Sequence, residues 1–316
     1  DLNKGMKAMF IMMNGARLFV GIQGIGLSET AYQSALHYAK ERLQGKLPES
    51  KNVADPIIVH PEIRKNLMYM KSVNDGIRGL MLKAGNAFDI IDSGETSKLS
   101  QTSENLIALL TPILKSFATD KALEITNNAL QIYGGHGYIT DHGMEQLVRD
   151  ARILPIYEGT NGIQALDLIG RKFNIHDGQI INDYLGEIEG FLIANDDDQN
   201  MQKFIELFKS SFIDLKDCVD FIRQIDTKNT KEINAHAMDF LNIFALVAVG
   251  YTWLQFIKVS QDKIKEKNDP FYLSKIQLGE FFMTKVIFET KRFKNNIYSS
   301  GNLYNHFSDN YFETGN

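Results

Sequence analysis

The chain has 316 residues, 44% of them hydrophobic and 23% charged, which favours two domains with sizeable cores and excludes a wholly disordered polypeptide. Its formal charge of −5, from 34 basic and 39 acidic residues, gives no electrostatic footing for nucleic acid. The one cysteine, Cys218, cannot form an internal disulfide, so a reducing, cytoplasmic compartment is expected. No charged-then-apolar signal pattern follows Asp1, which reads as a processing boundary or the cut end of a longer chain.

From about Met6 to Arg42 the sequence reads as one long helix with Leu18, Ile22, Ile25 and Leu36 apolar. Gly21, Gly24 and Gly26 let a neighbour come close, and Gly45 and Pro48 end the helix. Arg17, in Asn14-Gly15-Ala16-Arg17, lies 25 residues before Arg42, which puts the two arginines on similar faces at opposite ends. Each offers a planar fork of donors suited to an anion, although isolated helix arginines are more often solvated. Residues 46–59 read as a loop that ends at His60-Pro61-Glu62, where proline suits a first helical turn. The second helix then carries Ile63, Leu67, Met70, Ile77, Leu80, Ala84, Phe88 and Ile91 on one core-facing stripe. His60 has no second ligand-type residue at metal spacing, so it reads as structural or as a cofactor-edge contact, and no metal site is expected.

The polar run from Ser93 to Asn105 reads as a connection before a third helix through Leu106, Leu110, Ile113 and Phe117 to Leu130. Pro112 kinks it or marks its true start, and Gln131 closes it. Gly134, Gly135 and Gly137 supply a turn whose amides can approach a ligand, and a plain helix cap explains them equally well. Arg149, Asp150 and Arg152 fall on a short helix and are expected to form a salt-bridge cluster. Next comes a break: Pro155 disfavours helix at Leu154, and Gly159 lets the chain turn. Thr160 or Asn161 then caps a helix with Ile163, Leu166 and Ile169. Glu158 projects from this break, where an apolar pocket would make it a general base and open solvent an ordinary surface acid.

The run from Ala129 to Gly162 closely resembles the C-terminal helical domain of the flavin-dependent acyl-CoA dehydrogenases. Tyr157-Glu158-Gly159-Thr160 carries the likeness, with Gln131-Ile132-Tyr133-Gly134-Gly135-His136-Gly137-Tyr138 at the expected distance before it and Glu41-Arg42 upstream. The resemblance covers residues 10–172. It implies FAD as cofactor and an acyl-CoA substrate, with Glu158 removing the α-proton while the β-hydrogen leaves as hydride to the flavin. It further implies that Arg42, Gln44, Gln131, Gly134, Gly135, Thr160 and Asn161 bind the cofactor and that Asn14, Arg17 and Gly159 lie near the thioester. This chain has Gln44-Gly45 where most members carry Phe-Gly. A homodimer or homotetramer with flavin at the subunit interface is implied, as is an acceptor such as electron-transfer flavoprotein. Family members place a helical domain and a small β-domain upstream, so the full-length parent is expected to be the enzyme and these residues alone to be inactive. The rivals are an acyl-CoA oxidase with the same base and a non-catalytic helical assembly module.

Past Phe173 come a polar linker, an amphipathic segment around Tyr184 to Leu192, and the acidic Asp196-Asp197-Asp198. Three further helices are expected at about Met201–Ile225, Lys231–Glu266 and Leu273–Ile297. Phe204, Phe208, Leu215, Val219 and Ile222 should face Leu273, Ile276, Phe281 and Val286 in an antiparallel bundle. This region is similar to the extra C-terminal helical part of a larger subgroup of the same family, which shares a segment like Ile58-Val59-His60-Pro61. The apolar run Phe240–Ile257 is interrupted by Asn242 and has no companion, so it reads as a buried helix with no stable membrane insertion. The expectation is an all-α chain: an up-down helical bundle (residues 1–172), a linker with an amphipathic segment (173–200), and a second helical bundle (201–316).

Overall fold

The computed structural model describes residues 5–94, 98–299 and 302–313. The chain is all-α, 84% helical, with no strand among the described residues and a lone bridge between Leu43 and Pro56. Helix α1 (Gly5–Glu41) lies against α3 (Lys98–Tyr133), and α2 (Pro61–Asp92) packs across both. Gly21 and Gly24 set the α1–α3 approach, since a Cβ at Gly24 would stand 2.9 Å from the Ala118 carbonyl oxygen. Gly26 faces open space and Ile22 is 47% exposed, so neither belongs to the packed side expected for them.

Helix α3 starts eight residues earlier than the apolar pattern suggests and runs unbroken through buried Pro112 to Tyr133. The polar residues Lys98–Asn105 are therefore its first turns, with Ser103 buried and the rest of that stretch largely facing solvent. Residues 95–97 lie outside the described residues. Short helices α4 (Gly135–Tyr138), α5 (Met144–Ile153) and α6 (Asn161–Leu166) follow, with the Glu158 loop between the last two.

The segment expected to link two domains is mostly a helix, α7 (Gln179–Ala194), which buries Ile180, Ile181, Tyr184, Leu185, Ile188 and Leu192. Beyond it come α8 (Gln199–Gln224), α9 (Thr230–Ala235), α10 (Ala237–Glu266), α11 (Pro270–Phe281), α12 (Glu289–Tyr298) and α13 (Asn302–His306). Helix α10 is the centre of the C-terminal half, enclosed by α8, α11, α12 and α2, and its apolar run is buried inside the molecule. A π-helical stretch at Phe282–Val286 rotates the face presented before and after it. Phe282, Met283 and Val286 are buried, whereas Leu273 is 48% exposed and does not face the bundle as its spacing suggested. Buried residues from Leu18 to Ile297 form one continuous core.

Candidate active site

Helix α5 ends at Ile153, and the chain from Leu154 to Thr160 folds into a loop closed by the Asn161 N–H donating to the Pro155 carbonyl at 3.0 Å. Glu158 (φ +58°) and Gly159 (φ +82°) both take left-handed backbone. For glutamate that conformation costs on the order of 1–2 kcal/mol, so the surroundings must enforce it. The Tyr157 hydroxyl donates to Gln23 Oε1 on α1, and Thr160 Oγ1 accepts from the Ile163 N–H as the cap of α6.

Three side chains hold the loop from below. Lys115, on α3, has no exposed surface, and its Nζ donates to the Gly159 carbonyl at 2.8 Å and to Asn161 Oδ1 at 2.9 Å. Asn161 Nδ2 donates in turn to the Ser116 carbonyl, Thr119 Oγ1 and Asp120 Oδ1. Gln164 Nε2 donates to the Glu158 and Gly159 carbonyls at 3.3 and 3.4 Å. Burial pushes the Lys115 ammonium down to about 8, helped by Arg17 and opposed by Asp120 and Glu158. Burial likewise pushes the Asp120 carboxyl up, against its bond from Asn161.

Glu158 itself is half-buried, and its Oε2 is enclosed with no hydrogen-bond partner. Among the described residues its backbone N–H also has no acceptor. Arg17 lies beside it: a Cβ on Gly159 would stand 3.8 Å from Arg17 Nη2 and 2.8 Å from Gln164 Nε2. Arg17 is buried and pairs with Asp167 at 3.6 Å, and Asp167 also accepts from Arg171 Nε at 2.7 Å. These three line a cavity of about 470 Å³ with Asn14, Ile163 and Leu166. Lys172 is buried next to them and pushed down to about 8, first by burial and then by Arg171, with Arg17 adding to the effect.

The remaining candidates gather elsewhere. Arg42, Gln44, Gln131, Gly134 and Gly135 line a cavity of about 620 Å³ with Tyr38, Tyr133, His60 and His136. Tyr38 stacks on Tyr133 with ring centroids 4.2 Å apart, and His60 Nε2 donates to the Gln44 carbonyl at 2.8 Å. Gly134 is left-handed (φ +59°), and both it and Gly135 have open space where a side chain would be. The Arg42 guanidinium is exposed and has no ion pair among the described residues. By helix rise, the 25 residues between Arg17 and Arg42 place the two cavities about 37 Å apart along α1.

The candidates thus fall into two groups, with Asn14, Arg17, Glu158, Gly159, Thr160 and Asn161 in one. The side chain and backbone N–H of Asn161 are fully engaged within the chain. Arg149, Asp150 and Arg152 form no salt-bridge cluster: all three side chains face solvent, and none is in an ion pair among the described residues. Lys115 and Gln164 are the site residues that sequence reasoning missed. The available signal was that Lys115 is the sole charge between Asn105 and Asp120 in a strongly apolar helix.

A family model for the acyl-CoA dehydrogenase C-terminal domain matches residues 3–173, more than half of the chain. The chain belongs to the acyl-CoA dehydrogenase family. A second model, described as acetyl-CoA dehydrogenase C-terminal like, matches residues 184–303. The chain is 43% identical over 171 residues to 3-methylmercaptopropionyl-CoA dehydrogenase of Ruegeria pomeroyi, covering 54% of this chain and 29% of that one. It is 29% identical over 290 residues to a butyryl-CoA dehydrogenase of Syntrophomonas wolfei, covering 90% of this chain and 47% of that one. Among solved structures, an acyl-CoA dehydrogenase complexed with FAD from Bacillus anthracis shares the fold, with a TM-score of 0.76 and 18% identity over 99% of this chain and 52% of that one. The chain therefore spans less than half the length of these curated relatives.

Proposed function

We propose that the full-length protein carrying this chain is a flavin-dependent acyl-CoA dehydrogenase that converts an acyl-CoA thioester to its trans-2-enoyl product, with Glu158 as the α-proton base. The observation that carries this is the state of Glu158: one carboxylate oxygen is enclosed and has a free lone pair, on a backbone bent into an unfavoured conformation. A base needs an unpaired acceptor aimed at its proton, and a non-catalytic assembly module has no use for one. The unpaired Glu158 N–H is suited to donate to the thioester oxygen as enolate charge develops there. Gly159 keeps the loop bare where Arg17 and Gln164 crowd it, leaving no room for a side chain between base and thioester. FAD, when bound, supplies the acceptor for the β-hydride, so that proton and hydride leave opposite ends of the new double bond.

The second cavity fits the diphosphate of that cofactor by its donor set. Arg42 offers an unpaired guanidinium, and Gly134-Gly135 offer a bare backbone that a phosphate can approach. One dinucleotide cannot reach both cavities across about 37 Å, so the flavin held at Arg42 would have its ring in a neighbouring copy's site, which makes the protein a homo-oligomer. Relatives named for methylmercaptopropionyl and butyryl thioesters support a short to medium acyl chain as substrate.

The test is Glu158→Gln in the full-length, flavin-loaded protein, assayed with acyl-CoA thioesters and an artificial electron acceptor. Turnover is expected to fall by about 10⁴-fold or more with flavin content unchanged. Turnover within a few fold of wild type would remove Glu158 from the reaction. Oxygen consumption without an added acceptor would identify an oxidase, and a flavin-loaded monomer in sedimentation would sink the shared-cofactor reading.

A further inference from the structure

We propose that Lys115 is a positioning residue for the base: from beneath the loop its ammonium holds the left-handed turn at Glu158-Gly159 in place through the Gly159 carbonyl and Asn161. The inference rests on Glu158 being the base.

A lysine in the middle of a core helix is unfavourable unless something uses it, because its charge leaves water. Lys115 is wholly enclosed, and no carboxylate lies within ion-pair distance of it among the described residues. Its two strong bonds instead go to the loop that carries Glu158: the Gly159 carbonyl at 2.8 Å and Asn161 Oδ1 at 2.9 Å. The Gly159 carbonyl stands at the end of the two consecutive left-handed residues, so the ammonium grips the turn where it closes. Gln164 is a weaker second holder at 3.4 Å. Without Lys115, only the Gln164 bonds and the closing bond from the Asn161 N–H to the Pro155 carbonyl oppose relaxation of Glu158 to ordinary backbone, which would swing its carboxylate out of the enclosed position.

The charged groups facing the ammonium are Arg17 from α1, Asp120 from its own helix and Glu158 from the loop. Asp120 is bonded to Asn161 Nδ2, and Arg17 is paired with Asp167. Glu158 Oε2 is enclosed and unpartnered, so the loop that Lys115 grips decides where that oxygen points. Asn161 relays the hold, since it bonds Lys115 on one side and the α3 backbone on the other.

Two substitutions separate the hydrogen bond from the charge. Lys115→Met removes both while filling the space, and Lys115→Gln keeps a donor without the charge. In the full-length, flavin-loaded protein, Lys115→Met is expected to lower kcat by about tenfold or more, with KM and flavin content little changed. Lys115→Gln, which keeps a donor toward the loop, should recover part of that kcat. A purely structural role would lower kcat only in proportion to the folded, flavin-loaded fraction. That outcome in both variants, or wild-type kinetics in both, overturns the proposal. If Glu158→Gln retains turnover, the base assignment itself has failed. If Glu158→Gln is inactive and the Lys115 variants are unaffected, only the positioning role has failed.

Discussion

Lys115 and Lys172 are cations placed where water cannot reach them, and each is pushed down to about 8 chiefly by burial. The sign of the resulting pH dependence follows from proton counting. Between about pH 8 and the ordinary lysine value near 10.4, the unfolded chain holds a proton that the folded chain has released, so stability from these groups rises with pH and is lost as pH falls through 8. Half-buried Tyr69 and buried Tyr184 and Tyr251 are shifted upward by burial, and Cys218 is pushed up to about 12, which opposes the trend above about pH 9. A difference measurement cancels those terms. The unfolding free energy of wild type minus that of Lys115→Met, taken from urea titrations at pH 7.5, 8.5 and 9.5, is expected to shift steadily in favour of wild type. A flat difference would mean that Lys115 is not desolvated. Local chemistry made Glu158 legible in the sequence, since Pro155 and Gly159 announce a break and its neighbours name a family. Lys115 was not legible, because its burial comes from α3 packing under a loop 44 residues away, which no helical periodicity encodes.

Helix α2 joins the two halves together with α3 and α6, and two of its glycines allow its close approach to α10. A Cβ on Gly79 would fall 2.4 Å from Phe256 Cζ and 2.6 Å from Thr252 Cγ2, and one on Gly76 would fall 2.6 Å from Val249 Cγ1. Gly79→Val is therefore expected to destabilise by about 2–3 kcal/mol, since α10 must back away or its side chains leave their rotamers. Gly85 on the same helix has nothing within 4 Å of its Cβ position, so Gly85→Ala should stabilise by up to about 1 kcal/mol. Urea midpoints of the two variants check both signs, and equal shifts would show that α2 and α10 are not in close contact. The same helices show where sequence patterning stops. The α2 stripe from Leu67 to Ala84 is core as its spacing requires, because an amphipathic helix against one neighbour repeats with its own period. The start of α3 was hidden because solvated polar turns and a polar loop have the same composition. The outward position of Leu273 was hidden by the π-helical stretch at Phe282–Val286, which breaks the register of the pattern before it.

At the scale of the molecule, the two family-model regions meet across α2 and α10 in one core. The sole tryptophan, Trp253, is fully buried on α10 and donates its indole N–H to the Ser72 carbonyl on α2 at 3.0 Å. Nearby Asp75, also buried, is paired with Lys71 on its own helix and with Lys275 on α11. Removing the N-terminal half would strip the cover from Trp253, and removing the C-terminal half would leave the Asp75 carboxylate without the Lys275 ammonium, so neither half has a complete core alone. The two regions should therefore unfold together although they match separate family models. Trp253 fluorescence reports the junction and far-UV circular dichroism reports all the helices, and their urea transitions are expected to coincide, with one midpoint and one slope. Gly79→Val should move both midpoints by the same amount, because it weakens the junction that couples them. If fluorescence instead changes well before the helical signal, the junction opens while the bundles persist, and the halves are separate folding units. Coincident transitions would mean that the C-terminal helices help hold α2, and through α2 the α1–α3 pair on which Lys115 and the Glu158 loop are seated.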